Sequence, residues 1–275
     1  MFGANETPYD LRFRLLGIPV RVHPFFWVLA GMLGWEPQNL PRVALWIACV
    51  FVSIVVHEFG HALMARAFGA SPSVVLYGFG GLCMYQNVRQ TPRQRAAVLI
   101  WGPGAGFVFC GLVMLFYTVR YGLSFPEHLE FTRWIFWMEP EPATFASAIH
   151  KVLSTPDALG DPHAFRAVIP FFVYRFLVWI NLGWGLINLL PVWPLDGGQL
   201  TQTVLSEVNP YNGRRWTHTI SLVCAGLVAI FIYSQSESLF NTLLFAYLFL
   251  LNYQMLNAIH RAQVMGIYDE DMMPK

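Results

Sequence analysis

Six apolar runs punctuate this chain, at about 22–36, 41–65, 96–119, 168–190, 215–235 and 239–259. A helix rises 1.5 Å per residue, so crossing a bilayer's hydrocarbon core takes about 20 mostly apolar residues. Five of the runs reach that length; the first is shorter and ends before Pro37. In lipid every backbone N–H and C=O must find a partner within the chain, which restricts such runs to helices. Charged residues make up 12% of the chain, about half the share usual in soluble domains. The expected fold is therefore an all-α polytopic membrane protein with about six transmembrane helices in contact with a lipid bilayer. The net charge of +1 offers no attraction for nucleic acid.

Lysine and arginine placement orients the bundle, because cytoplasmic loops carry the excess. With the N-terminus in the cytoplasm, eleven of the seventeen basic residues fall on that side, among them Arg12, Arg14, Arg21, Arg66, Arg89, Arg93 and Arg95. The other side holds Arg42, Arg120, Arg133, Lys151, Arg166 and Arg175. An even number of spans places both termini in the cytoplasm. The first apolar run starts only near Val22 with no small-residue cleavage site after it, so no cleaved signal peptide is expected. Cys49, Cys83, Cys110 and Cys224 lack CxxC spacing and read as small buried hydrophobes, not as disulfide partners.

The second run contains His57-Glu58-Phe59-Gly60-His61. On a helix, residues four apart share a face, so His57 and His61 can offer two imidazole nitrogens to one ion. Glu58 lies about 100° around, within reach of a water at that ion. This is the content of HExxH: two zinc ligands and a general base. A structural polar cluster is the bland alternative. Ionisable residues inside a span are costly and by default functional. Gly60 and Ala62 keep this helix slim, for the site or for ordinary packing.

A catalytic zinc takes three protein ligands. The fourth run ends in Asn188-Leu-Leu-Pro191-Val-Trp-Pro194-Leu-Asp196-Gly-Gly198. Pro191 and Pro194 break the helix and free backbone groups that must be buried in protein or line a wet cavity. On the orientation above, this break and the HExxH pair fall at a similar depth on the cytoplasmic side. Asp196 can supply the third ligand; it can also serve as N-cap of a short helix over 197–208. Gly197 and Gly198 allow close backbone approach.

HEFGH on one span with NLLPVWPLDGG on a later one resembles the site-2 protease family of intramembrane zinc metalloproteases. The resemblance runs from about Leu11 to Glu207 and includes FRLLGIPVRVHPFF, similar to that family's entry strands and first span. It implies one Zn2+ per chain, with His57, His61 and Asp196 as ligands and Glu58 as catalytic base. Asn188 matches an asparagine held to position substrate or stabilise an oxyanion; an interhelical hydrogen bond is the alternative. Asn181, on a similar helix face, reads as structural. WGPGAGF at 101–107 resembles a GPxxN stretch, with Gly106 where asparagine is common.

Cleaving a helical substrate requires its backbone to be unwound. Two β-type runs within 73–86 flank Gly78-Phe-Gly-Gly81, a hairpin signal just after the HExxH helix. An edge strand there could pair with extended substrate; a plain surface hairpin is the alternative. The expected fold thus includes a small membrane-associated β-hairpin or sheet near the site. The long loop 120–167 carries apolar stretches at 131–138 and 145–153 that suit short interfacial helices. Arg175 is expected to snorkel or to pair with the acidic residues of that loop. His23 reads as interfacial, and His218 and His260 as span-end residues.

These readings make 1–275 one integral-membrane metalloprotease domain: strands and first span over 11–36, catalytic core over about 41–207, and two further spans over about 215–259. The expected function is zinc-dependent cleavage of transmembrane protein substrates, single-span ones foremost, in a prokaryotic cytoplasmic membrane, with room for a regulatory membrane partner. The alternatives are a non-catalytic zinc-binding membrane scaffold and a metal-ion transporter. Glu58 argues against the scaffold, and the scarcity of other ionisable residues in the spans argues against the transporter.

Overall fold

A computed structural model of the chain describes residues 6–78, 80–86, 90–153, 165–235 and 239–264. It divides into two compact units, Met1–Arg89 with Trp101–Leu186, and Gln90–Ile100 with Ile187–Lys275.

The first unit opens with a β-hairpin, β1 (Leu11–Leu15) and β2 (Ile18–Val22). Leu16 and Gly17 both take positive φ, 50° and 78°, as a two-residue turn between twisted strands requires. Ile18, Val20 and Val22 point inward at period two and are buried. Helix α1 (Pro24–Leu33) follows, with Pro24 in its first turn and His23 as N-cap, its Nδ1 accepting from the Phe25 N–H at 3.1 Å. His23 therefore has a structural task.

Asn39 caps the long helix α2 (Leu40–Ala67), and Gly69 at φ 85° releases the chain from its end. The expected hairpin is present as β3 (Ser71–Tyr77) and β4 (Gly80–Gln86). It joins the first hairpin in one sheet of order β1-β2-β3-β4, with β2 and β3 parallel in the register Val20↔Val74. The buried face of this sheet packs with α1 and α2 around Phe26, Val50, Phe59 and Leu76.

Helix α3 (Pro92–Tyr121) leads to two short helices, α4 (Phe125–Ile135) and α5 (Pro142–Val152). These are the helices expected in the long loop, starting several residues earlier; residues 154–164 lie outside the described set. Ser124 and Glu127 cap α4 reciprocally, and Glu141 caps α5 through the N–H groups of Ala143 and Thr144. Phe131, Phe171 and Tyr174 centre the core that α4 and α5 share with α3 and with α6 (Phe165–Asn188). Residues Trp179–Trp184 of α6 form a π-helical turn.

The second unit contains α7 (Asp196–Val208), α8 (Gly213–Gln235) and α9 (Leu239–Val264). Its core is Val192, Ala225, Phe245 and Leu248.

Among the described residues, five helices are long and apolar enough to cross a membrane: α2, α3, α6 and most of α8 and α9. The sixth expected span is α1, which has only ten residues and reaches about 15 Å, half of a hydrocarbon core. The alternation Ile18-Val20-Val22 draws the start of that run into the sheet. All four cysteines are free thiols; Cys49 and Cys110 are buried, Cys83 and Cys224 half-buried.

Candidate metal centre and active site

His57, Glu58 and His61 lie on α2, and their ligand atoms all fall within 4.8 Å of one another. The two histidines face each other, Nε2 to Nε2, at 3.2 Å with their rings at 79°. Two nitrogens each about 2.0–2.1 Å from a tetrahedral zinc stand about 3.3 Å apart. The pair therefore fits a zinc ion as it stands. Glu58 and His61 are buried, at 5% and 6% exposure, while His57 is half-buried.

Two backbones of the same unit press on these side chains. A Cβ on Gly81, in β4, would overlap the Glu58 carboxyl. A Cβ on Gly102, in α3, would overlap the His61 imidazole, and one on Gly60 would overlap the Trp101 carbonyl. Glycine thus lets α3 and β4 close on the centre where any side chain would displace it. The GPGAG and GFGG stretches carried this signal. Their residue-by-residue partners emerge only from the fold.

Asn181 has the structural, interhelical role expected of it, with a partner that the sequence does not mark. Ser53 sits one turn before His57 on α2, and its Oγ accepts from Asn181 Nδ2 at 2.8 Å; the same amide donates to the Leu177 carbonyl at 2.9 Å. Asn181 belongs to the π turn, a distortion frequent at functional sites. A Cβ on Gly106 would meet Asn181 Oδ1 at 3.5 Å, an ordinary contact. Space does not demand glycine there.

Asn188 and Asp196 belong to the second unit. Asp196 is the first helical residue of α7, and the N-cap position is held by Leu195. The N-cap role weighed for Asp196 is therefore not the one it plays. Gly197 lies against the carbonyls of Leu189 and Leu190, and Gly198 against the backbone of Val192 and Trp193. Helix α7 thus begins directly on the broken segment. The freed backbone of that segment is satisfied from the C-terminal helices. The Trp193 N–H donates to Ser221 Oγ at 2.9 Å, whose hydroxyl donates to the Pro191 carbonyl at 3.2 Å. Asn252 Nδ2 donates to the Trp193 carbonyl at 2.8 Å, and the His218 Nδ1–H donates to Asn252 Oδ1 at 2.8 Å. Asn188 is 8% exposed, and its side-chain amide has no hydrogen-bond partner among the described residues.

An HExxH metal centre on a membrane-length helix, roofed by a small sheet, places the molecule among polytopic membrane proteins with a metalloprotease-type site. The sequence model of peptidase family M50 matches residues 45–233, and the chain belongs to that family. A protein of Synechocystis sp., provisionally named a zinc metalloprotease, is 28% identical over 70% of this chain and 43% of its own length. Stage IV sporulation protein FB of Bacillus subtilis is 26% identical over 70% of this chain and 50% of its own. The chain thus spans about half the length of the curated relatives it matches. In fold it is similar to the site-2 protease from Methanocaldococcus jannaschii, with a TM-score of 0.55 over 90% of this chain and 95% of that one at 20% identity.

Proposed function

We propose that this protein is a zinc-dependent intramembrane endopeptidase that hydrolyses peptide bonds within or near the transmembrane segments of other membrane proteins. The observation that carries the reading is the 3.2 Å approach of His57 and His61 Nε2 beside the buried Glu58 carboxyl. A zinc ion held there by His57 and His61, with Asp196 as third ligand, would polarise the scissile carbonyl and lower the pKa of water toward about 7. Glu58 takes the proton of the attacking water and returns it to the leaving amine. Asn188, with its amide uncommitted, is the candidate donor to the developing oxyanion. Strand β4 ends the sheet order and presents an edge beside Glu58, so an unwound substrate pairing there would be held extended near the base.

Residues 41–207 form the catalytic core on this reading, with 11–36 as entry strands and first apolar helix and about 215–259 as added spans. Ser221 and Asn252 give those added spans a purpose, since they hold the broken segment next to Asp196. The excess of basic residues on one side supports cytoplasmic termini in a prokaryotic cytoplasmic membrane. The substrates proposed are single-span proteins, and a membrane partner would regulate access to them.

The test compares membrane proteomes of cells carrying the native chain and Glu58→Gln. Single-span proteins should accumulate uncleaved in the variant. Identical proteomes, with zinc bound to both, would favour a zinc-binding scaffold instead.

A further inference from the structure

At the far end of the first unit from its metal centre, two arginines share a cavity of about 200 Å3. Arg42 is the third residue of α2, and its guanidinium overlies the Phe172 ring at 4.8 Å. Arg175 lies on α6 and overlies the Trp134 ring at 4.7 Å. Among the described residues, Glu36 is the only carboxylate lining the cavity, and it pairs with Arg42. Arg175 makes no ion pair and no side-chain hydrogen bond among the described residues; Asp157 and Asp161 of the acidic loop, two of the partners weighed for it, lie outside that set. Counted over the described residues, two guanidiniums against one carboxylate leave the cavity one positive charge in excess, with the fork of Arg175 uncommitted.

The depth of this cavity follows from the helices that line it. Arg42 is in the first turn of a membrane-length helix, so the cavity lies at one end of the span. Arg175 is the eleventh residue of α6, but the residues before it, including Val168, Phe171 and Tyr174, pack with α4 and α5. Helix α6 therefore enters the bilayer near Arg175. Tryptophans mark the same level: Trp46 lines the cavity, Trp134 lies under Arg175, and Trp35 beside Glu36 is 64% exposed. Tryptophan gathers where headgroups meet acyl chains. Glu36 and Arg42 keep about a third of their side-chain surface exposed, so the cavity is open to an entering ligand. Its volume far exceeds the roughly 10–15 Å3 that one water requires.

We propose that this cavity binds the phosphate of an anionic phospholipid, with Arg175 and Arg42 as its donors. Arginine's planar fork matches phosphate oxygens two at a time. At headgroup depth the bilayer itself delivers such a phosphate, with its acyl chains running along the apolar walls beside Phe172 and Phe176. Glu36 competes for Arg42 and tempers the site. The proposal is independent of the catalytic reading, because no residue in it belongs to the metal centre.

The test is native mass spectrometry of the whole purified protein, equilibrated with equimolar phosphatidylglycerol and phosphatidylcholine in mixed micelles. The native chain should retain phosphatidylglycerol about tenfold over phosphatidylcholine, and Arg175→Gln should remove that preference. Glu36→Gln should raise phosphatidylglycerol retention several-fold, a gain that a damaged fold does not produce. Excess inorganic phosphate should leave the lipid bound; its displacement would identify a site for free phosphate and overturn the lipid assignment. Equal retention of the two lipids by the native chain, or unchanged preference in folded Arg175→Gln, would overturn the proposal. Should Arg175→Gln fail to fold, the native preference and the Glu36→Gln gain decide it.

Discussion

His57 and His61 hold their Nε2 atoms 3.2 Å apart on successive turns of α2, the spacing that two ligands of one tetrahedral zinc adopt. Both rings are turned toward a common point before any ion is considered, so the centre is pre-shaped by the helix and its neighbours.

On the proposed ligand set, removing one member should empty that centre. His57→Ala and Asp196→Ala are each expected to lower zinc content sharply, by more than the roughly 10–100-fold affinity loss typical of outer partners. Metal analysis of the purified variants checks this. Stoichiometric zinc in Asp196→Ala would mean the third ligand lies elsewhere.

The glycines around the centre should sort by what their missing Cβ would strike. Gly102→Ala presses on the His61 ring and should weaken zinc binding by about tenfold or more. Gly81→Ala presses on the Glu58 carboxyl and should abolish cleavage while zinc stays bound. Gly106→Ala meets only an ordinary contact at 3.5 Å, and alanine gains about 0.8–1 kcal/mol over glycine in a helix. That variant should be at least as stable as the native chain in thermal unfolding. Equal behaviour of all three would refute this account of the packing.

The broken segment depends on two polar side chains from distant spans. Ser221 and Asn252 are fully buried and supply its backbone partners. Ser221→Ala and Asn252→Leu should each cost about 1–3 kcal/mol, because a backbone group of the broken segment loses a side-chain hydrogen bond. Chemical unfolding in detergent measures this, and stabilities within error of native would show that water replaces the side chains.

The α4–α5 pair carries its own acid sensitivity. Burial alone would raise the Glu127 carboxyl, but Lys151, the Ser124 N–H and hydroxyl and the Ser147 hydroxyl outweigh burial and hold it at about 2. A folded-state value below the ordinary carboxylate range means stability that is present above about 4.5 and lost as pH falls toward about 2. Melting temperature should therefore decline across that window. Glu127→Gln should flatten the decline and lower stability at neutral pH. An unchanged acid limb in the variant would assign it to other carboxylates.

Much of this was legible in the sequence because the signals are local. HExxH needs only helical periodicity to place its three side chains together, and the hairpin and the five long spans follow from period and length. Asp196 was legible as a special residue, but its exact place in α7 was not, because a helix start shifts by one residue without changing any pattern. The start of the first apolar run was ambiguous for a related reason: Ile18, Val20 and Val22 satisfy alternation as well as hydropathy, and pairing with β3, some fifty residues away, decides between them. The partners Ser53–Asn181 and Ser221–Trp193 are long-range, and nothing in the local sequence marks one hydroxyl as the mate of one amide.

The sheet adds a constraint of a different kind. Strand β4 is locked to β3 over seven residue pairs, from Ser71↔Gln86 to Tyr77↔Gly80, and β3 to β2 beside it, with Gly81 fixed against Glu58. Side chains on a strand alternate in direction, so a peptide laid along the β4 edge can slide only in steps of two residues without turning itself over. The edge would then act as a ruler graduated in pairs. On the proposed function, alternative cut sites in one substrate would be separated by even numbers of residues, whatever the side chains at the cut.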